Sequence, residues 1–164
     1  MKIKKLHQLF LECNSVSTDT RKIGNGNMYF ALKGENFNGN TFAEKAINSG
    51  AKYAIIDEEK YNKLPETILV NNVLETLQEL AQFHRGYLNI PILAITGSNG
   101  KTTTKELINV AVSKKFNTVA TKGNLNNHIG VPLTLLSMNT NTEIGIVEMG
   151  ANHINEIGFL CKIA

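Results

Sequence analysis

The sequence predicts an α/β protein, and three observations carry that prediction. Short apolar runs alternate with helix-like segments along the whole chain. The run at residues 92–96 (ILAIT) is apolar without a break, as in a strand buried in a parallel sheet. A glycine turn then joins that run to a helical segment. With 164 residues, 42% hydrophobic and 19% charged, the chain can bury a real core, which excludes a disordered chain and a disulfide mini-protein.

In the first half, residues 28–32 (MYFAL) and 53–56 (YAII) read as strands flanking a helix at about 42–49, which Gly50 stops. Residues 67–70 (TILV) follow as a further strand after Pro65. Asn72 opens the next helix, with Glu75 in capping-box position and Leu74, Leu77, Ala81 and Leu88 on one face. The break at Asn89, Ile90 and Pro91 marks a domain boundary, dividing the chain into 1–88 and 89–164. After the strand at 92–96 comes a helix to about residue 116, expected to turn Leu107, Ile108, Ala111 and Val112 inward. Strands at 118–121 and 144–148 (IGIVE) are separated by a loop and a short helix beginning near Pro132, and a last helix covers about 154–163. Three parallel strands are thus expected after residue 91, which leaves the strand at 144–148 without the neighbours of a full sheet and with an uncovered edge that invites association or disorder.

Charge and cysteine usage narrow the partners. Seventeen basic and fourteen acidic residues give a net charge of +3, and the lysines are scattered, which argues against nucleic acid. Cys13 and Cys161 lie far apart with no Cys-x-x-Cys pair, so neither a zinc site nor a disulfide framework is indicated; a reducing cytoplasm fits. Residues 1–11 begin like a signal peptide with Lys2, Lys4 and Lys5. His7 and Gln8 break its apolar run, and no small-residue cleavage site follows. No stretch is long enough to span a bilayer, so membrane insertion is not expected.

The sharpest motif is Gly97-Ser98-Asn99-Gly100-Lys101-Thr102-Thr103, placed between a strand and a helix. Glycines let main-chain N–H groups close around a phosphate, and the helix start adds its positive end. Lys101 can then place its ammonium between the β- and γ-phosphates, while the Thr102 hydroxyl ligates Mg²⁺. The spacing is a shortened P-loop, because Ile95 stands where the distal glycine would be. Glu148 closes the strand at 144–148 and should emerge at the carboxyl end of the sheet, where a carboxylate can hold Mg²⁺ against nucleotide oxygens. The alternative is a glutamate that caps the last helix or pairs with a lysine.

At these residues the sequence resembles the Mur ligase family, ATP-dependent amide-forming enzymes of peptidoglycan assembly. Thr96 to Thr102 is similar to that family's phosphate loop, short spacing included. Residues 122–136 (KGNLNNHIGVPLTLL) and 147–153 (VEMGANH), followed by Glu156-Ile157, resemble its D-alanyl-D-alanine-adding member. Residues 17–21 (STDTR), 29–34 (YFALKG), Phe42 and Gly50-Ala51 resemble the amino-terminal domain that holds the UDP end of the substrate. Asn155 stands where a glycine often precedes Glu-Ile, and His128 where an acidic residue is common.

The resemblance implies a small UDP-binding α/β domain at 1–88. The first part of a P-loop-type, parallel-sheet ATP-binding domain would follow at 89–164. It implies ATP and Mg²⁺ as cofactors, UDP-N-acetylmuramoyl-tripeptide and D-alanyl-D-alanine as substrates, and a monomer at full length. Lys101, Thr102 and Glu148 would be catalytic. The expected substrate contacts are Asp19, Thr20, Arg21, Lys33, Gly34, Asn36, Asn124, Asn126, Asn127 and His153. Each has an ordinary alternative: a local ion pair for Asp19 and Arg21, a hairpin connection for Lys33, Gly34 and Asn36, and helix capping for the later asparagines and His153. His7 and His84 read as structural or exposed, and Met28, Met138 and Met149 as core.

The family carries a second metal-binding histidine, a carbamoylated lysine and a carboxyl-terminal domain beyond this point. An amino-terminal fragment without turnover is therefore expected. Two other readings compete, a small P-loop kinase or NTPase and a non-catalytic nucleotide-binding module.

Overall fold

A computed structural model describes residues 2–164; Met1, the first residue of the leader-like stretch, lies outside them. The chain is mixed α/β, and it divides into two compact units between Leu77 and Gln78.

The first unit opens with helix α1 (Ile3–Leu11), which buries Leu6, His7 and Phe10. A fully parallel sheet follows, built from β1 (Val16–Ser17), β2 (Met28–Phe30), β5 (Tyr53–Ile56) and β6 (Thr67–Leu69) in the order β1-β2-β5-β6. β2 pairs β5 with Met28 opposite Tyr53 and Phe30 opposite Ile55. Because β2 is interior and covered on both faces, Met28, Tyr29 and Phe30 are all fully buried. One face packs Tyr29, Ala31, Ala54 and Ile56 against Ala43 and Ala46 of α2 (Ala43–Asn48). The buried Tyr29 hydroxyl donates to the Gly39 carbonyl at 3.1 Å, which satisfies its polar end.

Between β2 and α2 lies an antiparallel hairpin of β3 (Lys33–Gly34) and β4 (Phe37–Asn38). It is the hairpin alternative for Lys33, Gly34 and Asn36. Helix α3 (Val73–Leu88) starts as expected, since the Asn72 Oδ1 accepts the N–H groups of Leu74 at 2.9 Å and Glu75 at 3.1 Å. The division between the units falls within this helix.

The second unit contains β7 (Ile92–Ile95), α4 (Lys101–Val112), β8 (Thr118–Ala120), α5 (Gly130–Leu136), β9 (Ile144–Glu148) and α6 (Glu156–Ile163). Its three strands are parallel in the order β7-β9-β8. This order corrects the expectation for residues 144–148. β9 is central, paired on both sides, with Ile146 and Val147 fully buried; the edges are β7 and β8. For the same reason the continuous apolar run at 92–96 is not a doubly buried strand: Leu93 is 37% exposed and Ala94 is exposed.

The inward face of α4 also differs from expectation. Leu107 is 67% exposed and Ala111 is exposed, whereas Lys105 is fully buried. The helix turns on its first residue, and the loop before it sets that phase rather than the apolar count. His7 and His84 are both buried, and His84 Nε2 lies 3.0 Å from the Met138 carbonyl oxygen. Burial holds the His84 imidazole below its ordinary pKa, toward the neutral form. Met28, Met138 and Met149 are core residues. Among the described residues no helix is long and apolar enough to cross a membrane.

Candidate functional site

The loop at 96–100 leaves the end of β7 and enters α4 at Lys101. Gly100 sits at the helix cap with φ of +76°, a left-handed conformation open to glycine at no steric cost. It offers no side-chain cap, so no side chain of the cap residue takes up the first N–H groups of α4 among the described residues. Lys101 folds back over the loop, and its Nζ donates to the Gly97 carbonyl at 2.6 Å. Ser98, Asn99, Thr102 and Thr103 are exposed around it. The loop therefore presents amides, one ammonium and hydroxyls together, a set suited to a polyanion.

Glu148, the last residue of β9, is 1% exposed. Its Oε1 accepts from Asn126 Nδ2 at 2.8 Å, and its Oε2 is buried with no hydrogen-bond partner among the described residues. A buried carboxylate oxygen without a donor is costly, so this atom is poised for a ligand. The alternatives for Glu148, a helix cap or a lysine pair, do not occur among the described residues. The Asn126 carbonyl also accepts the Gly150 N–H at 2.8 Å, which ties the asparagine loop to the strand end. Asn127 caps α5, its Oδ1 accepting from Ile129 at 3.1 Å and Gly130 at 2.9 Å. Gly130 leaves no room for a side chain, since a Cβ there would run into the Leu125 backbone.

A cavity of about 510 Å³ brings Lys101 together with Asn124, Asn126, Asn127 and His153, four of the expected substrate contacts. His128 lines it too, its carbonyl held by Gln78 Nε2 at 3.0 Å. Glu156 closes one side, its Oε2 accepting the N–H groups of Asn152 at 2.6 Å and His153 at 3.1 Å. Those two bonds hold the Glu156 carboxyl below the usual glutamate range. The capping alternative for His153 does not occur among the described residues: the cap position of α6 is Asn155, and no side chain bonds there. No group of three or more His, Cys, Asp or Glu side chains that could hold a metal occurs among the described residues. An ion here would complete its shell with hydroxyl, phosphate and water oxygens, as Mg²⁺ does.

The first unit gathers the remaining expected contacts at the carboxyl ends of its strands. Asp19 and Arg21 form a local ion pair at 2.9 Å, with Thr20 between them at the start of a 3-10 turn. The Arg21 guanidinium holds the Asp19 carboxyl down at about 2. Lys33 pairs with Asp57 at 3.0 Å, while Gly34 and Asn36 are exposed in the hairpin. Asn40, fully buried, both donates to Asp57 Oδ1 and accepts the Asp57 N–H, each at 2.9 Å. Burial pushes the Asp57 carboxyl up, but the bonds from Asn40 and Lys33 outweigh it and leave its pKa lowered. Asn40 and Asp57 were not singled out from the sequence; an acid directly after the buried run YAII was the available signal. Lys105 and Thr121 were missed as well, and no periodicity would bury a lysine.

Residues 12–94 match the family model described as Mur ligase family, catalytic domain, and residues 95–164 match the Mur ligase middle domain. The chain belongs to the Mur ligase family. Its relatives point to one member. It is 42% identical over 154 residues to the UDP-N-acetylmuramoyl-tripeptide--D-alanyl-D-alanine ligase of Bacillus subtilis, covering 92% of this chain and 34% of the relative. The Escherichia coli enzyme of the same name is 40% identical over 150 residues, with 92% and 33% covered. The solved MurF of Acinetobacter baumannii superposes with a TM-score of 0.85 at 31% identity, covering 98% of this chain and 38% of that one. MurF ligase of Thermotoga maritima, solved in complex with ADP, gives 0.82 at 32% identity, covering 94% and 36%. The chain thus spans about a third of the length of the curated relatives it matches.

Proposed function

We propose that this chain is the amino-terminal third of a cytoplasmic, ATP-dependent ligase. That enzyme adds D-alanyl-D-alanine to UDP-N-acetylmuramoyl-tripeptide and so serves peptidoglycan synthesis, cell shape and division. The observation that carries the reading is the buried Glu148, whose Oε2 has no donor among the described residues and whose neighbour Asn126 lines the same cavity as Lys101. The names of the relatives supply the substrates.

A carboxylate does not react with an amine until one of its oxygens becomes a good leaving group. The γ-phosphoryl group of ATP passes to the terminal carboxylate of the UDP-linked tripeptide, giving an acyl phosphate and ADP. The amine of D-alanyl-D-alanine then attacks the acyl carbon, forming the amide and expelling phosphate. The chain's own part is electrostatic. The loop amides from Gly97 to Thr103, Lys101 and the start of α4 offset the charge that would repel a carboxylate from ATP. Thr102 and Glu148 are hard oxygen donors and would hold Mg²⁺, which neutralises phosphate charge. Asp19, Thr20, Arg21, Lys33, Gly34 and Asn36 take the UDP end in a domain covering 1–88. Asn124, Asn126, Asn127 and His153 contact substrate beside the nucleotide in the domain from 89 onward. The 164 residues by themselves bind both ligands without turnover, and the full-length enzyme is a monomer.

The test is fluorescent-ADP binding in the presence of Mg²⁺. Lys101→Ala, at the half-buried first residue of α4, should keep its circular dichroism spectrum and lose roughly a hundredfold in affinity. Unchanged affinity would overturn the assignment.

A further inference from the structure

Lys105 lies on the face of α4 that packs on β8 and β9, and its side chain has no exposed surface. An ammonium persists in such a place only where it is paired. Its Nζ donates to the Thr121 carbonyl at 2.6 Å and meets Glu106 Oε1 at 2.8 Å. Thr121, itself buried, stands one residue past β8, and its hydroxyl accepts the Glu148 N–H at 2.9 Å. One residue is therefore gripped from α4 by its carbonyl while it grips β9 by its hydroxyl.

Attachment of α4 to β8 does not by itself call for this lysine. The Thr118 hydroxyl already donates to Asn109 Oδ1 at 2.8 Å, one turn further along the same helix and at the other end of the same strand. What Lys105 adds lies at the sheet end where α4 begins and β9 finishes. Those two elements carry Thr102 and Glu148. Resting on the reading in which these two hold a divalent cation, we infer that Lys105 is a positioning residue. Through Thr121 it sets the spacing between the first turn of α4 and the Glu148 carboxylate, and with it the cation affinity of the nucleotide site. The charge is needed because a carbonyl buried at a strand end has few donors that can reach it across a helix–sheet gap, and a long cationic side chain spans that gap.

The experiment titrates Mn²⁺ into the chain with ADP and follows free ion by its paramagnetic resonance signal. Lys105→Met should weaken protein-bound Mn²⁺ by about tenfold or more while metal-free ADP affinity is unchanged. Thr121→Val, which keeps the carbonyl and the shape, should give the same loss with Lys105 in place. Unaltered Mn²⁺ affinity in either folded variant overturns the inference, as does a Lys105→Met chain that no longer unfolds cooperatively, since the lysine would then serve stability alone. A wild-type chain whose ADP recruits no extra Mn²⁺ overturns the ligase reading itself and this inference with it.

Discussion

Asn155 occupies the cap of α6 with φ of +71°, in the left-handed region. Most side chains meet their own backbone there, and asparagine tolerates it best after glycine. That explains why an asparagine stands where a glycine often precedes Glu-Ile. Asn155→Ala should cost about 1 kcal/mol in denaturant unfolding, and Asn155→Gly should cost much less. The neighbouring Glu156 gives a pH dependence. Its folded pKa is depressed, so its contribution is present above the pKa of a free glutamate and is lost as pH falls through the lower, folded value. Amide chemical shifts of Asn152 and His153 should titrate together with a midpoint below that of a free glutamate. A midpoint at or above it would show that the two hydrogen bonds do not form in solution.

Elements show where periodicity succeeds and where it misleads. The capping signal at Asn72 and the strand YAII at 53–56 were legible, because both rest on local chemistry: a side chain bonding nearby N–H groups, and a run of β-branched and small apolar residues. The inward face of α4 was not legible. Its apolar residues do not all lie on the buried side, and Lys105 takes a core position. The difference is measurable. Leu107→Ser, at a residue 67% exposed, should change stability by less than about 0.5 kcal/mol. Leu135→Ala, at a fully buried residue of α5, should cost about 2–5 kcal/mol. Equal costs would return Leu107 to the core.

On the scale of the molecule, each unit carries its own proposed ligand site, and the two ligands should leave separate footprints. In hydrogen exchange, ADP with Mg²⁺ should protect amides at 97–104, while the UDP-linked tripeptide should protect 17–21 and 33–36. A UDP footprint confined to the second unit would refute the division of labour. The glycine turn, Glu148 and the asparagine loop could be placed from the chain because each is a contiguous motif flanked by a strand. Strand order could not. β9 is central and β7 is an edge, although β7 has the more continuous apolar run, because order depends on where each crossover returns the chain.

Sequence alone therefore determined the α/β class, the glycine turn that enters α4 at Lys101 and Thr102, and the strand-end position of Glu148. These depend on residues that are neighbours along the chain, where backbone geometry and side-chain chemistry act over a few bonds. Only the tertiary structure decided that Glu148 is buried with one oxygen unbonded among the described residues, that Asn126 holds the other, and that Lys105 reaches Thr121. Those contacts join residues 16 and 22 positions apart, and packing of α4, β8, β9 and the asparagine loop against one another creates them.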